Sequence, residues 1–279
     1  VSQKTLWAGP WVGEFGWELF CWHGFLRKLA RKFDRVMIAC RTGHDLLYAD
    51  FATDIVHYDP DIEETDMWMN RSCPDLRNFH SYYTKESENL KVVPIDTYRA
   101  VWWPAEKFDV RQTLVSYGMQ DDGVGFDVLI VVRDTQKCRT GFRNWPAAHA
   151  EEFVSRMRGL GFTVACVGKS KSALWVPGAT DYRNLPLTKL AQLMANSRVI
   201  VGPQCGPIHF GTLCLLPQVC WQTKPAHAVR TQTHWNPHGV PVMTMPSDGS
   251  YWRKHQMWTP PVQHVVDDTI KILSRGVER

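Results

Sequence analysis

The sequence predicts an α/β protein of two units, each a parallel sheet covered by helices. Three observations carry this. Short apolar runs alternate with helix-spaced segments along most of the chain. The runs RVMIAC (Arg35–Cys40), DVLIVV (Asp127–Val132) and RVIV (Arg198–Val201) read as buried strands, joined through helices by short turns. The length, 279 residues, suits one large domain or two of ordinary size.

The elements follow in order. Thr5–Ala8 is a short strand and Gly9–Phe15 a Gly-rich turn. Trp17–Phe33 is helical, with Trp17, Phe20, Cys21, Phe25, Leu29 and Phe33 on one face and Arg27, Lys28, Arg31 and Lys32 largely outside. Arg35–Cys40 is a strand, His44–Ala52 a short helix and Ile55–Tyr58 a third strand. Residues 59–95 are polar and turn-rich, a loop with irregular helix that closes on a strand at Val92–Ile95. Ser116–Gly125 (SYGMQDDGVG) reads as a linker. The boundary is therefore drawn between 1–118 and 119–279. In the second part Asp127–Val132, Thr163–Val167, Arg198–Val201 and Gln218–Trp221 are strands. Pro146–Arg158, Thr188–Ala195, Ile208–Leu215 and Val262–Ser274 are helices, the first with Pro at its start.

Composition narrows the class. Apolar residues make up 44% and charged residues 22%, which excludes a disordered tail, a collagen-like chain and a coiled coil. No apolar run reaches the roughly 18–20 residues of a membrane helix. The start of the chain lacks a basic segment followed by an apolar one, so no signal peptide is expected. The eight cysteines form no CxxC pair, and several fall in strands, which points to a reducing cytoplasm, no zinc site and few or no disulfides. Net charge is only +4. It divides unevenly: residues 1–118 carry 14 basic and 17 acidic side chains, net −3, and residues 119–279 carry 18 and 11, net +7. The second part is the one suited to hold an anion.

Two segments in it converge on that chemistry. The run Arg133-Asp-Thr-Gln-Lys137-Cys-Arg139-Thr-Gly-Phe-Arg143-Asn144-Trp145-Pro146 links a strand end to a helix start, where open α/β sheets bind ligands. Its four cations and one acid suit a phosphate, which would also meet helix N-terminal N–H groups. A solvated basic loop is the alternative. The run Gly202-Pro203-Gln204-Cys205-Gly206-Pro207-Ile208-His209 again links strand to helix. Its Gly202 and Gly206 allow close approach of a ligand to the backbone, and His209 falls in the first helical turn.

The segment GPQCGPIHFGTLCLLPQVCW resembles the motif G-[ND]-[ST]-G-P-x-H-x-[AG]-x-x-L-G-x-P-x-[VI] of heptosyltransferase-like glycosyltransferases. Gln204 and Cys205 stand where that family usually has a short polar pair. RNLPLTKLAQLMANSRVIVG resembles the family's helix, strand and turn ahead of the motif. Arg143-Asn144-Trp145-Pro146 matches its phosphate-binding loop and following helix start. The resemblance spans about residues 127–223. It implies the GT-B fold, two Rossmann-like domains facing a cleft. It also implies a nucleotide diphosphate sugar as donor, bound without metal by Arg133, Lys137, Arg139, Arg143, Asn144, Gln204, Cys205, Gly206 and His209. The last helix would then pack back toward the first unit.

The acceptor side and the base are expected from the first unit. Gly9-Pro10-Trp11-Val12-Gly13-Glu14-Phe15-Gly16-Trp17-Glu18 follows the first strand and opens the first helix. No acid follows the second strand at the place of a dinucleotide's ribose ligand, so what remains is a Gly-rich turn with two carboxylates. A transfer that inverts the sugar needs a base for the acceptor hydroxyl. Glu14 in the turn is the first choice, then Glu18, then Asp45. Trp11, Trp17, Trp102 and Trp103 are candidates for stacking on a sugar or base, with packing as the plain alternative. Asp59-Pro60-Asp61 has the form of a D-x-D metal triplet but sits in a turn-like setting away from the phosphate loops.

Two other classes remain open. One is a nucleotide-sugar epimerase of the same fold, which needs no acceptor. The other is a nucleic-acid-binding protein, in which Arg230, Trp235, Trp252, Arg253, Lys254 and His255 track phosphates and stack bases. An enzyme that glycosylates a hydroxymethylated base in DNA needs both a donor site and a basic groove. GEFGWELFCW bears a resemblance to phage-encoded glycosyltransferases, which implies the host cytoplasm for such a chain.

Overall fold

The computed structural model describes residues 3–9, 11, 15–57, 90–93, 113–120, 123–134, 143–222, 225–245 and 259–275. Glu14, Lys137, Arg139, the Asp59–Asp61 triplet, Trp102, Trp103 and the run 252–255 lie outside the described residues. The chain divides into two compact units, Val1–Val110 and Arg111–Arg279.

The first unit has a four-stranded parallel sheet. Its strands are β1 (Thr5–Ala8), β2 (Arg35–Cys40), β3 (Asp54–His57) and β4 (Leu90–Val93), in the order β3-β2-β1-β4. Strand β1 is central, so the order reverses there, and ligands bind at such reversals, beyond the carboxyl ends of the strands. Gly9 leaves β1 at φ +104°, and a Cβ on it would lie 2.1 Å from the Ala39 carbonyl oxygen, so only glycine fits.

The expected single helix is broken in phase. It runs as α1 (Phe15–Trp17), a π-helical turn (Glu18–Trp22) and α2 (His23–Ala30). A π turn takes one residue more than an α turn, which rotates every face downstream of it. Leu26 and Ala30 are therefore buried in place of the expected Phe25 and Leu29. Arg27, expected outside, is buried as well. Its Nε and Nη2 donate to the two carboxylate oxygens of Asp50 at 3.0 and 2.7 Å. The helix expected at His44–Ala52 is only a 3-10 turn, Asp45–Leu47. Strand β3 starts one residue, and β4 two residues, before the expected positions.

The segment expected to be a linker is packed into the second unit. It carries a 3-10 turn, Val115–Gln120, just after the buried Leu114, whose N–H donates to the Leu213 carbonyl at 2.7 Å. A Cβ on Gly125 would lie 2.0 Å from the Asn196 carbonyl oxygen. Gly118 and Gly125 are there for close approach, and Gly123 for its positive φ of +74°.

The second unit holds a six-stranded parallel sheet. Its strands are β5 (Val128–Ile130), β7 (Val164–Cys166), β9 (Thr180–Asp181), β10 (Val199–Pro203), β11 (Gln218–Trp221) and β12 (Val242–Met245), in the order β12-β11-β10-β5-β7-β9. β6 (Val132–Arg133) and β8 (Ala173–Leu174) form a separate antiparallel pair. The reversal of order lies between β5 and β10. The turn after β10, singled out in the sequence, leaves the sheet beside it.

The helices are α3 (Ala147–Gly159), α4 (Leu187–Ala195), α5 (Gly206–Leu213), α6 (Pro225–Val229) and α7 (Val262–Ser274), with a second π-helical turn at Arg230–His234. The apolar face of α7, with Val265, Val266, Ile272 and Leu273, joins the core of this unit beside Phe153 and Met157 of α3. Trp145 belongs to the same core. Its indole N–H donates to the Pro260 carbonyl at 3.0 Å, and its ring lies 5.1 Å from that of Trp221.

Candidate functional site

In the second unit the turn between β10 and α5 is the organising element. Gly202 does not open it to a ligand as expected. A Cβ there would meet the Val131 carbonyl oxygen at 2.9 Å, so Gly202 serves strand packing. The N-cap of α5 is Cys205, which makes no side-chain cap hydrogen bond, and Pro207 removes one donor from the first turn. Arg143 reaches over from the basic loop. Its Nη1 donates to the Gln204 carbonyl at 2.6 Å, and its own carbonyl accepts from the Trp221 indole at 3.3 Å. Held at one nitrogen and at its backbone, the guanidinium has further N–H donors in a fixed fork.

The Gln204 side chain is buried and turns away from this face. Its Nε2 donates to Thr231 Oγ1 at 3.2 Å, and Gln222 Nε2 donates to the same hydroxyl at 3.3 Å. The hydroxyl donates in turn to the His227 carbonyl at 3.0 Å. Gln204 thus ties the turn to the second π turn. Arg230, at the start of that π turn, lies over the Trp235 ring, 4.4 Å from its centroid, and the His209 ring meets Trp235 edge-on at 4.7 Å. Trp235 is itself buried, so it is no open platform for a nucleobase; Trp11, packed 5.5 Å from Trp22 in the first unit, is not one either.

Electrostatics follow from this crowd of cations. Burial first, then Arg230, Arg143 and His227, hold His209 well below its ordinary value, so it is neutral near pH 7. Burial pushes the Cys205 thiol up, against the Ile208 N–H, Arg133 and Arg143. Burial raises Cys220 well above its ordinary value too, with Cys205 adding to it. Both thiols stay protonated, so the chemistry here is cationic rather than nucleophilic. Of the expected donor residues, the structure gathers Arg133, Arg143, Gln204, Cys205, Gly206 and His209 at this turn, with Asn144 next to Arg143. Arg230 joins them from a helix where the sequence reading placed a nucleic-acid surface. His227 went unnoticed, because α6 carries too short a pattern to be read.

In the first unit the polar cluster is built on a carboxylate. Glu18 opens the π turn and is only 1% exposed. Its Oε1 accepts from the Tyr48 hydroxyl at 2.7 Å and its Oε2 from His44 Nδ1 at 2.9 Å. Burial, then the Glu18 carboxylate, pushes the Tyr48 hydroxyl well above its ordinary value. Asp45, next to His44, is half exposed and pairs with His57 of β3 at 2.5 Å. Partial burial works to raise the Asp45 carboxyl, but the His57 hydrogen bond and charge outweigh it and hold it below the usual range. His23 accompanies the π turn, its Nδ1 donating to the Glu18 carbonyl at 3.1 Å. Burial and then Arg27 bring its ring down to about 3. Sequence reasoning named Glu18 and Asp45 and missed His44 and Tyr48. The signal was there: His44 closes the loop that leaves the carboxyl end of β2.

Among the described residues no group of three or more His, Cys, Asp or Glu is placed to hold a metal ion. Cys21, Cys40, Cys166, Cys205, Cys214 and Cys220 stand outside any disulfide, and none of the described helices is long and apolar enough to cross a membrane.

No protein-family model matches the chain, and no curated protein matches it significantly. Solved structures do. One is a glycosyl transferase of family 9 from Veillonella parvula, at TM-score 0.63 and 9% identity, covering 98% of both chains. Another is the ADP-heptose lps heptosyltransferase II of E. coli, at TM-score 0.59 and 14% identity, covering 98% of this chain and 99% of the other. A third is the E. coli heptosyltransferase WaaC with ADP, at TM-score 0.58 and 9% identity, covering 96% and 99%. At such identities the likeness is one of fold, and the fold is GT-B, α/β units with parallel sheets.

Proposed function

We propose that the chain is a glycosyltransferase that moves a sugar from a nucleotide diphosphate sugar to an acceptor hydroxyl. The observation that carries this reading is the cationic turn at the strand-order reversal of the second unit. There Arg143 is held over the start of α5 by the Gln204 carbonyl, with Arg133 and Arg230 near by. A leaving diphosphate gains charge as its bond to the sugar breaks. Positioned guanidinium groups stabilise it most at that moment, without a metal. The solved structures of similar fold include two heptosyltransferases, one of them with ADP. Lys137 and Arg139 belong to the same loop and are proposed to complete the site. The first unit is proposed to hold the acceptor and supply the base, from the group Glu14, Glu18 and Asp45 and their surroundings. The acceptor is a hydroxyl on a saccharide or on a hydroxymethylated base in DNA.

A thermal-shift screen with UDP-, GDP-, ADP- and CMP-sugars tests the donor. A ligand at 100 times its dissociation constant adds about 2.7 kcal/mol of stability. One nucleotide class is expected to raise the unfolding temperature, and its free nucleoside to do so far less. If none of the four does, the donor reading fails. Incubating that donor with an oligosaccharide or with hydroxymethylated duplex DNA then separates the two acceptors.

A further inference from the structure

We propose that Arg230 is a second guanidinium that holds the donor's diphosphate, and that Thr231 is the positioning residue that sets it there; this rests on the nucleotide-sugar reading above. Gln204 carries the argument, because it serves both cations at once. Its main-chain carbonyl accepts from Arg143 Nη1 at 2.6 Å. Its side-chain Nε2 donates at 3.2 Å to Thr231 Oγ1, on the residue next to Arg230. The turn that opens α5 therefore fixes Arg143 directly, and Arg230 through one hydroxyl.

That hydroxyl is held from three sides. Besides Gln204, Gln222 just past the end of β11 donates to it from Nε2 at 3.3 Å. The hydroxyl donates onward to the His227 carbonyl at 3.0 Å. Thr231, Gln204 and Gln222 are all buried, so water does not compete for these bonds.

The π turn then sets the direction of Arg230. The Trp235 N–H donates to the Arg230 carbonyl at 2.7 Å, five residues back. The extra residue brings the Trp235 ring under the guanidinium, 4.4 Å from centroid to Cζ, where an α turn would rotate it away. The same ring meets His209, edge-on at 4.7 Å, in the first turn of α5. Arg230 is thus stacked through one indole on the helix whose N-terminal N–H groups would face a diphosphate. Arg143 and Arg230 both act on the charge of His209 and of Cys220, which places both guanidiniums around the same turn. Arg230 itself is half-buried. A guanidinium carries five N–H donors in a flat fork, which can meet two phosphate oxygens while its face rests on a ring. A departing nucleoside diphosphate carries more negative charge than one guanidinium balances, and a second cation of fixed geometry lowers that cost.

The test uses the full chain and titrates ADP, GDP, UDP and CDP by calorimetry, each beside its nucleoside. For the tightest diphosphate, Arg230→Ala is expected to weaken binding about 10- to 100-fold, with the nucleoside changed less than about twofold. Thr231→Val keeps the shape and removes the hydroxyl, and is expected to weaken the diphosphate about fivefold. Thr231→Ser keeps the hydroxyl and is expected to stay within about twofold of wild type. In the Arg230→Ala background, Thr231→Val is expected to add less than about twofold. A threonine that only supports the fold would show its full effect there. Should Thr231→Val not fold, Gln222→Met, which removes one amide from the hydroxyl, takes its place in the same cycle. Arg230→Ala without effect, Thr231→Ser as weak as Thr231→Val, or a Thr231→Val effect undiminished in the Arg230→Ala background each overturns the assignment. No binding of any of the four diphosphates to the wild-type chain defeats the donor reading and this one with it. Binding that Arg143→Ala weakens and Arg230→Ala leaves intact defeats this one alone.

Discussion

The two units each carry a π-helical turn, and the two turns do different work. In the first unit the turn at Glu18–Trp22 places a carboxylate inward, where Tyr48 and His44 saturate it. In the second the turn at Arg230–His234 places a guanidinium over Trp235 and a hydroxyl, Thr231, under two glutamine amides. One turn makes a buried anion that organises a histidine. The other makes a cationic face beside a histidine that burial, with the cations adding to it, keeps neutral. The same local deformation, an extra residue in a helical turn, thus orients a buried carboxylate in one unit and a guanidinium in the other. π turns recur at functional sites because the extra residue redirects one side chain without breaking the helix.

The first effect that separates the two regions is on catalysis. Tyr48→Phe removes one donor from Glu18 and leaves the second unit untouched. Turnover is expected to fall about tenfold, roughly 1.4 kcal/mol of barrier, with donor affinity unchanged, as measured by steady-state kinetics beside calorimetry. Equal losses in both would merge the two sites into one.

Next come the glycines that fix each unit's backbone. Gly9→Ala in the first unit meets the Ala39 carbonyl at 2.1 Å at positive φ, and Gly125→Ala in the second meets Asn196 at 2.0 Å. Each is expected to cost about 3 kcal/mol in denaturant unfolding. A cost under about 1 kcal/mol at either position means that the backbone there yields.

Acid is a sharper tool, because among the described residues each unit hides a histidine whose protonation is opposed by burial. His23 is brought down to about 3 and His209 well below its ordinary value. Between each folded value and the unfolded value near 6.5, the unfolded chain binds more protons, so stability falls as pH drops below about 6.5. Each histidine contributes a slope of about 1.4 kcal/mol per pH unit. His23→Asn and His209→Asn are each expected to remove one share of that slope. A slope unaltered by both substitutions contradicts the burial argument. The smallest effect belongs to the half-exposed pair of Arg35 and Asp54 at 2.8 Å. Arg35→Ala is expected to change stability by less than about 1 kcal/mol.

The strands were the most legible part of the sequence. Arg35–Cys40 and Gln218–Trp221 stand where their apolar runs put them, because β-branched and sulfur side chains buried on both faces leave a continuous mark. Short edge strands such as Thr180–Asp181 left none: two exposed residues have no pattern. The phase of the first helix was misread because periodicity assumes a uniform turn, and one π turn shifts Arg27 to the inside. The Ser116–Gly125 segment was misread because glycine marks flexibility and close packing alike. At the site, cations near strand ends were legible as charge. The Glu18, His44 and Tyr48 cluster was not, since its members lie 26 and 30 positions apart and meet only through the sheet.

The central claim is that the second unit binds the diphosphate of a nucleotide sugar through the Arg143 turn. Isothermal titration of the nucleoside diphosphate selected by the donor screen, into the wild-type chain and into Arg143→Ala, tests it most directly. Loss of a charge-assisted contact is expected to cost about 1.5–3 kcal/mol, roughly 10- to 150-fold in dissociation constant, while affinity for the bare nucleoside stays the same. Equal diphosphate affinity in the two proteins would contradict the account.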